Sequence, residues 1–144
     1  CIESKITETG VYSKWSPCPG IVVETTVTPD AEGHTRVHRI TSDRECVAYD
    51  CGFTVDRGDF EPVGFESSTG ENWAQASNEH CCCRVEAIGG QATEETEQIP
   101  AGHVIIADPN TNLLYTKTAI PSVKYQIRRG EQELVTRVLA EYIG

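Results

Sequence analysis

The chain has 144 residues, a length that fits one domain with its own core, burying about two thirds of the surface of the unfolded chain. With 22 acidic against 12 basic residues and a net charge of −10, it lacks the basic face of a nucleic-acid-binding protein. No apolar run approaches the roughly 18–20 residues of a membrane span, so we expect neither a nucleic-acid partner nor a transmembrane segment.

The first half of the chain predicts an edge segment, a hairpin and a short strand. Residues 1–10 are polar without periodicity, which favours an arm or an edge strand. Residues 21–28 are rich in β-branched side chains, and a turn leads to a return strand over residues 35–40. A further short strand is predicted at 45–51, and residues 53–65 are interrupted by Gly and Pro as loops are.

The second half predicts more strands around an acidic connector. Residues 67–78 are small and polar apart from Trp73 and allow one helical turn. The cysteine run at 81–83 opens a strand, and residues 91–98 are acidic and polar, as in a solvated loop. The cysteine-free remainder predicts three strands, over residues 103–107, 113–120 and 123–127.

The tail at residues 131–143 fits two structures. Leu134, Val138 and Tyr142 share one helical face, yet a turn at Arg129-Gly130 and the β-rich surroundings favour a last strand. We predict an all-β fold, a disulfide-braced β-sandwich or barrel-like domain with at most one short helix.

We expect residues 1–144 to form a single domain in three parts. These are a disulfide-rich part at 1–90, an acidic connector loop at 91–98 and a cysteine-free β part at 99–144.

Three consecutive cysteines, Cys81, Cys82 and Cys83, dominate the chemistry of the sequence. On a strand they alternate between faces, and adjacent cysteines rarely bond because a disulfide needs its Cα atoms about 4.4–6.8 Å apart. Each therefore needs a distant partner, with the pairing open. The predicted disulfide cysteines are Cys18, Cys46, Cys51, Cys81, Cys82 and Cys83.

Cys1 is left over from this count and has several interpretations. It is a further bridge partner, an intermolecular bridge to another chain or a lipid-linked first residue. Because the sequence contains seven cysteines and no methionine, we expect a processed chain whose targeting segment has been removed. The predicted location is secreted or at the cell surface.

The cysteine run also raises the alternative of a metal-binding protein. Cys46 and Cys51, together with His80, would add soft ligands to the Cys81–Cys83 run. Contiguous strand cysteines cannot all reach one ion, however, so disulfides are favoured and no metal site is assigned. The two histidines His34 and His38 stand four apart, and we interpret them as part of a solvated strand face.

The predicted loop at 53–65 carries two further candidate sites. Its tripeptide Arg57-Gly58-Asp59 resembles the integrin-binding motif of extracellular adhesion proteins and disintegrins. That resemblance implies a cell-adhesion or ligand-binding module that presents an arginine and a carboxylate on a turn. Asp56, Asp59 and Glu61 are weak calcium ligands, because calcium takes about 6–8 oxygen ligands and the loop lacks a dedicated pattern.

No nucleophile elbow, phosphate-binding loop or zinc-protease helix occurs in the sequence. We therefore predict no enzyme, no catalytic residue and no cofactor. The favoured function is an extracellular structural protein, a subunit of a filament or coat, because open strand edges are completed by neighbouring chains. Self-association into a homo-oligomer or filament is the expected partnership.

Overall fold

The protein is described here by a computed structural model, which defines residues 1–53, 66–90, 96–107 and 114–143. Side chains are described for residues 1–53, 66–89 and 120–143. The eleven strands are β1 (Glu3–Ile6), β2 (Val11–Cys18), β3 (Ile21–Pro29), β4 (Gly33–Ser42), β5 (Cys46–Cys51), β6 (Glu66–Thr69), β7 (Trp73–Ser77), β8 (Cys81–Gly90), β9 (Thr96–Ala107), β10 (Leu114–Ile127) and β11 (Gly130–Tyr142).

The strands form two antiparallel sheets of unequal width. The large sheet has eight strands in the order β1-β2-β3-β4-β11-β8-β7-β6, so that β11 inserts between the two meanders β1–β4 and β6–β8. The small sheet has three strands in the order β5-β10-β9. The prediction of an all-β protein is confirmed, and the described residues contain no helix, including none with the length and apolarity to cross a membrane.

One hydrophobic core lies between the two sheets. Central strand β10 of the small sheet contributes Val123, Tyr125 and Ile127, all nearly inaccessible to solvent. They pack against buried residues of β3, β4, β7, β8 and β11 from the large sheet, among them Leu134 and Val138. The alternation of buried and exposed positions along β11 reflects the two-residue period of a strand with one face on a core.

The hairpin predicted in the first half is confirmed by the structure. β3 pairs with β4 in antiparallel register from Ile21 opposite Ser42 to Pro29 opposite His34. The Asp30 carboxylate accepts hydrogen bonds from the backbone N–H groups of the turn. It also forms an ion pair with Arg137 on β11 at 2.6 Å. That side chain therefore fixes the turn to the neighbouring strand of the sheet.

Three segments differ from the sequence prediction. Residues 67–78 contain the strand pair β6–β7 and no helical turn. The strands predicted at 113–120 and 123–127 are one long strand, β10, which continues across two register shifts. Strand β9 begins at Thr96, so the end of the predicted connector at 91–98 is paired with β10.

The tail is a strand, as the turn at Arg129-Gly130 indicates, but it does not form a hairpin with β10. β11 pairs with β4 and β8 in the large sheet, whereas β10 lies in the small sheet. Gly130 therefore connects the two layers. Its φ is +106°, a backbone conformation that is energetically unfavourable for any residue that carries a Cβ atom.

Replacing Gly130 by alanine should destabilise the fold by about 1–2 kcal/mol, the cost of left-handed backbone for an L-residue. Gly89→Ala is a matched control, because a Cβ at Gly89 meets its nearest neighbour, Val135, at 3.7 Å. The control should be neutral or stabilising by about 0.4–1 kcal/mol through the unfolded chain. Urea unfolding midpoints measure both, and equal midpoints for the two variants would contradict the conformation assigned to Gly130.

Candidate functional site

The cysteine run lies on β8 with alternating orientation, as predicted for a strand. Cys83 is buried in the core and its sulfur accepts a hydrogen bond from the Phe53 N–H at 3.2 Å. Cys82 lies on the opposite face. Burial raises the pKa of the Cys83 thiol and also the pKa of Cys82. Both thiols therefore favour the protonated form in the structure.

The other predicted bridge cysteines lie on strands of both sheets, with Cys18 on β2, Cys46 and Cys51 on β5 and Cys81 on β8. Cys18 and Cys46 both pack against the core, and the Cys51 sulfur accepts a hydrogen bond from Ser122 at 3.3 Å. Cys1 is exposed at the start of the chain. All seven cysteines are free thiols in the structure, so the disulfides remain a prediction.

The adhesion loop and the calcium candidates have no structural description. The cysteine and histidine ligands of the alternative metal site are not brought together in the described residues. The loop residues Arg57, Gly58 and Asp59, and the calcium candidates Asp56 and Glu61, lie outside the described residues. Within the described part of the chain, no group of three or more His, Cys, Asp or Glu side chains is placed to hold a metal ion.

A polar network that the sequence did not reveal joins the two sheets. The imidazole of His38 on β4 makes two hydrogen bonds, each 2.8 Å long: Nδ1 bonds with the Thr25 hydroxyl, and the Asp50 carboxylate accepts from Nε2. Arg36 on β4 donates to the same carboxylate at 2.5 Å and to the carbonyl of Cys51 at 2.8 Å. Strand β5 is therefore attached to β4 by a carboxylate that two side chains share.

The interpretation of the histidine face as solvated is wrong. His34, Arg36 and His38 do share one face of β4, but that face is covered by β5, and the His38 and Asp50 side chains are only 16% and 12% exposed. The edge of the His34 ring contacts the ring of Phe53 just beyond β5. Sequence reasoning missed this because the covering strand comes from a different sheet.

The charge state of Asp50 is set by competing effects. Burial by itself raises the pKa of this carboxyl group, but the hydrogen bond from His38 and the charges of His38 and Arg36 outweigh it and lower the pKa. Asp50 is therefore the ionised group at the centre of the network.

A second buried contact lies nearby, where the hydroxyl groups of Tyr125 and Thr136 are 2.7 Å apart, and burial raises the pKa of Tyr125 to about 12.

The order hydroxyl, imidazole, carboxylate is also that of a nucleophilic triad. Only His38 and Asp50 of the three line the adjacent cleft, whereas Thr25 does not. Thr25 is buried, and the network joins β3 and β4 of the large sheet to β5 of the small sheet.

That cleft lies between β5 and the inner face of β2–β4 and has a volume of about 520 Å³. Its exposed rim carries Trp15, Val47 and Tyr49, which are 41–55% accessible. Its floor is formed by core residues, among them Ile40 and Leu134. Such a volume and lining are typical of a binding cleft, which takes roughly 300–1,000 Å³.

The apolar surface continues from the cleft over the first two strands. Ile6 pairs with Val11, Trp15 pairs with Val23, and Val23 pairs with Ile40. Because directly opposed residues share a face of an antiparallel sheet, the exposed side chains of β1 and β2 lie on the same face as the buried core. We call this surface the open face and define it by Ile6, Val11 and Trp15, which are 88%, 46% and 41% accessible.

The sequence carried only a partial signal of these residues. The segment Cys46–Cys51 alternates in a way that places Asp50 on the same side as Cys46 and Ala48, which is an unusual position for an acid on a strand. Trp15 is 41% accessible and lies at the cleft beside the core.

A family model described as "DUF2264 C-terminal domain" matches residues 1–142. No curated protein and no solved structure matches the chain.

We predict that Asp50→Asn lowers the free energy of unfolding at neutral pH by about 3–5 kcal/mol, because it leaves the Arg36 guanidinium, which is only 17% exposed, without its carboxylate. Asp50 has a lowered pKa in the folded chain, so the stability it contributes is present above its ordinary pKa of 3.8 and is lost as the pH falls further. Stability of the natural chain should therefore decline between about pH 5 and pH 2, and the decline should be shallower in Asp50→Asn.

Urea titrations across this pH range measure both quantities. Asp43→Asn serves as the control, since the Asp43 carboxylate pairs with Arg44 at 2.6 Å but is largely exposed, and its replacement should have a much smaller effect at neutral pH. Parallel pH profiles for the natural chain and Asp50→Asn would contradict the role assigned to the carboxylate.

Proposed function

We propose that this chain, which belongs to the DUF2264 C-terminal domain family, is a non-enzymatic structural domain that docks onto a neighbouring polypeptide in an extracytoplasmic assembly. The observation that carries the proposal is the open face. Ile6, Val11 and Trp15 are exposed on a sheet face that is elsewhere the core. A contiguous apolar surface beside an ordered cleft is typical of a site that another molecule covers.

The description of the matching family model supports a structural role for this domain. It describes a C-terminal domain, which fits a domain that works next to other polypeptide rather than alone. The Asp50 network favours a structural role over catalysis, because it ties the layers together and does not bring a hydroxyl into the cleft. A subunit of a secreted or surface filament or coat is the specific form that we propose, with self-association as its simplest arrangement.

We also propose that the fold is a β-sandwich braced by disulfides and that the protein is located outside the cell. The two sheets with one core between them support the sandwich. The seven cysteines support an oxidising compartment, and Cys18 and Cys46 line the same cleft and pack on the same core.

Alkylation of protein that is isolated without reductant and then denatured tests the compartment, because denaturation exposes buried thiols such as Cys83. Few or none of the six predicted bridge cysteines should be modified, and modification should follow reduction, with the mass of each peptide locating the bridges. Treatment with a chelator is the control, because it releases thiols from a metal site but leaves disulfides intact. Full alkylation of all seven cysteines without reduction would contradict both the bracing and the extracytoplasmic location.

Self-association is tested by sedimentation and negative-stain microscopy. The natural chain should form larger species as its concentration rises. Ile88 is 48% exposed but alternates to the opposite face from buried Ala87, which makes Ile88→Ser a matched control for variants of the open face. A discrete monomer at every concentration would contradict the filament form of the proposal.

A further inference from the structure

The small sheet ends above the middle of the large sheet. Asp50 on β5 contacts Arg36 and His38 on β4, and Tyr125 on β10 contacts Thr136 on β11. β5 therefore lies over β4, and β10 lies over β11. The three strands β3, β2 and β1 extend beyond β5, and among the described strands none covers β1 and β2.

Strand β5 is an edge with backbone groups available for pairing. In the described part of the chain it pairs only with β10, over Cys46–Cys51. A β-strand at such an edge presents a row of N–H and C=O groups to the solvent. Strand β1, at the edge of the large sheet, carries Glu3 and Lys5, charges that discourage strand pairing there. No comparable charges lie within β5 except Asp50, which is directed into the network.

We propose that an extended segment of another polypeptide adds to β5 as a fourth strand of the small sheet and covers the open face. This inference rests on the proposed docking function and specifies how the docking is made. The added strand would pair with the backbone of β5 and place alternate side chains onto Trp15 and Val11. Main-chain pairing of this kind supplies affinity, and the alternate side chains supply specificity.

The dimensions favour a single segment over a second copy of the domain. Neighbouring strands are about 4.8 Å apart, so the surface from β3 to β1 is roughly 10 Å wide, which is room for one or two strands. Pairing two copies through their β5 edges would bring two large sheets together, each projecting over the same space. The net charge of −10 on each copy opposes that pairing as well.

The same charge indicates the chemistry of the partner. A segment with apolar residues facing the open face and Lys or Arg residues facing outward matches both the apolar surface and the acidic chain. Its outward side chains would lie beside Val47 and Tyr49, which are exposed on the outer face of β5. The long stems of Lys and Arg cover such apolar neighbours while their charged ends reach solvent.

The probe is a nine-residue synthetic peptide in which valine alternates with lysine. The protein is the 1–144 chain with Trp73→Phe, which leaves Trp15 as its single tryptophan. Binding is followed by Trp15 fluorescence, which should shift to the blue in a saturable way. A peptide with glutamate in place of lysine should bind at least about tenfold more weakly at low salt.

Backbone methylation separates strand addition from other modes of binding. All valine N–H groups of an extended peptide point to one edge and all lysine N–H groups to the other, so two N-methylated isomers each block one edge. Strand addition predicts that one isomer loses at least about tenfold in affinity while the other retains it. Equal affinities for the two isomers, whether both bind or neither binds, overturn strand addition.

Variants of the open face separate this inference from the function on which it rests. One outcome is that Ile6→Ser weakens peptide binding, Ile88→Ser does not, and the two N-methylated isomers bind with equal affinity. In that case the open face docks polypeptide but not by strand addition. If no peptide binds, both the inference and the docking function fail. A blue shift of Trp15 that grows with protein concentration without peptide identifies a second copy as the occupant and overturns the inference.

Discussion

The Asp50 carboxylate is the contact on which the arrangement of the two layers depends. It is largely buried on β5, receives hydrogen bonds from Arg36 and His38 on β4, and stays ionised because these partners offset the cost of burial. Hydrophobic packing brings sheets together without fixing their lateral position, because it has no direction. A charge-assisted pair has direction and strongly favours one alignment. We infer that this pair determines which strands of the large sheet are covered.

That alignment links the fold to the proposed function. Eight strands face three, and the offset leaves the inner side of β1 and β2 exposed beside the edge of β5. The exposed apolar side chains Ile6, Val11 and Trp15 are therefore a consequence of unequal sheet width rather than of isolated surface substitutions. No strand among the described residues covers them, and the edge of β5 that has no described partner offers backbone groups to a docking segment.

Much of the fold was predictable because strand signals are local. The hairpin over β3 and β4 follows from β-branched runs on either side of a polar turn, and the alternation of Cys82 and Cys83 follows from the two-residue period of β8. Sheet membership was not predictable, since Arg129-Gly130 reads as a hairpin turn while β10 and β11 belong to different layers. The candidate site was missed for the same reason, because Asp50 and His38 meet only across the two sheets.

Composition and local pattern by themselves determined that the chain is all-β, where β3, β4 and β5 lie, and which residues alternate along them, because these features depend on side chains close in sequence. Tertiary structure alone decided that β11 lies between β4 and β8, that His38 is covered rather than solvated, and that Trp15 borders an open face. These features depend on contacts between strands distant in sequence, such as Arg36 with Asp50 and Tyr125 with Thr136. A strand's own pattern specifies which of its faces is apolar but not which neighbour covers that face.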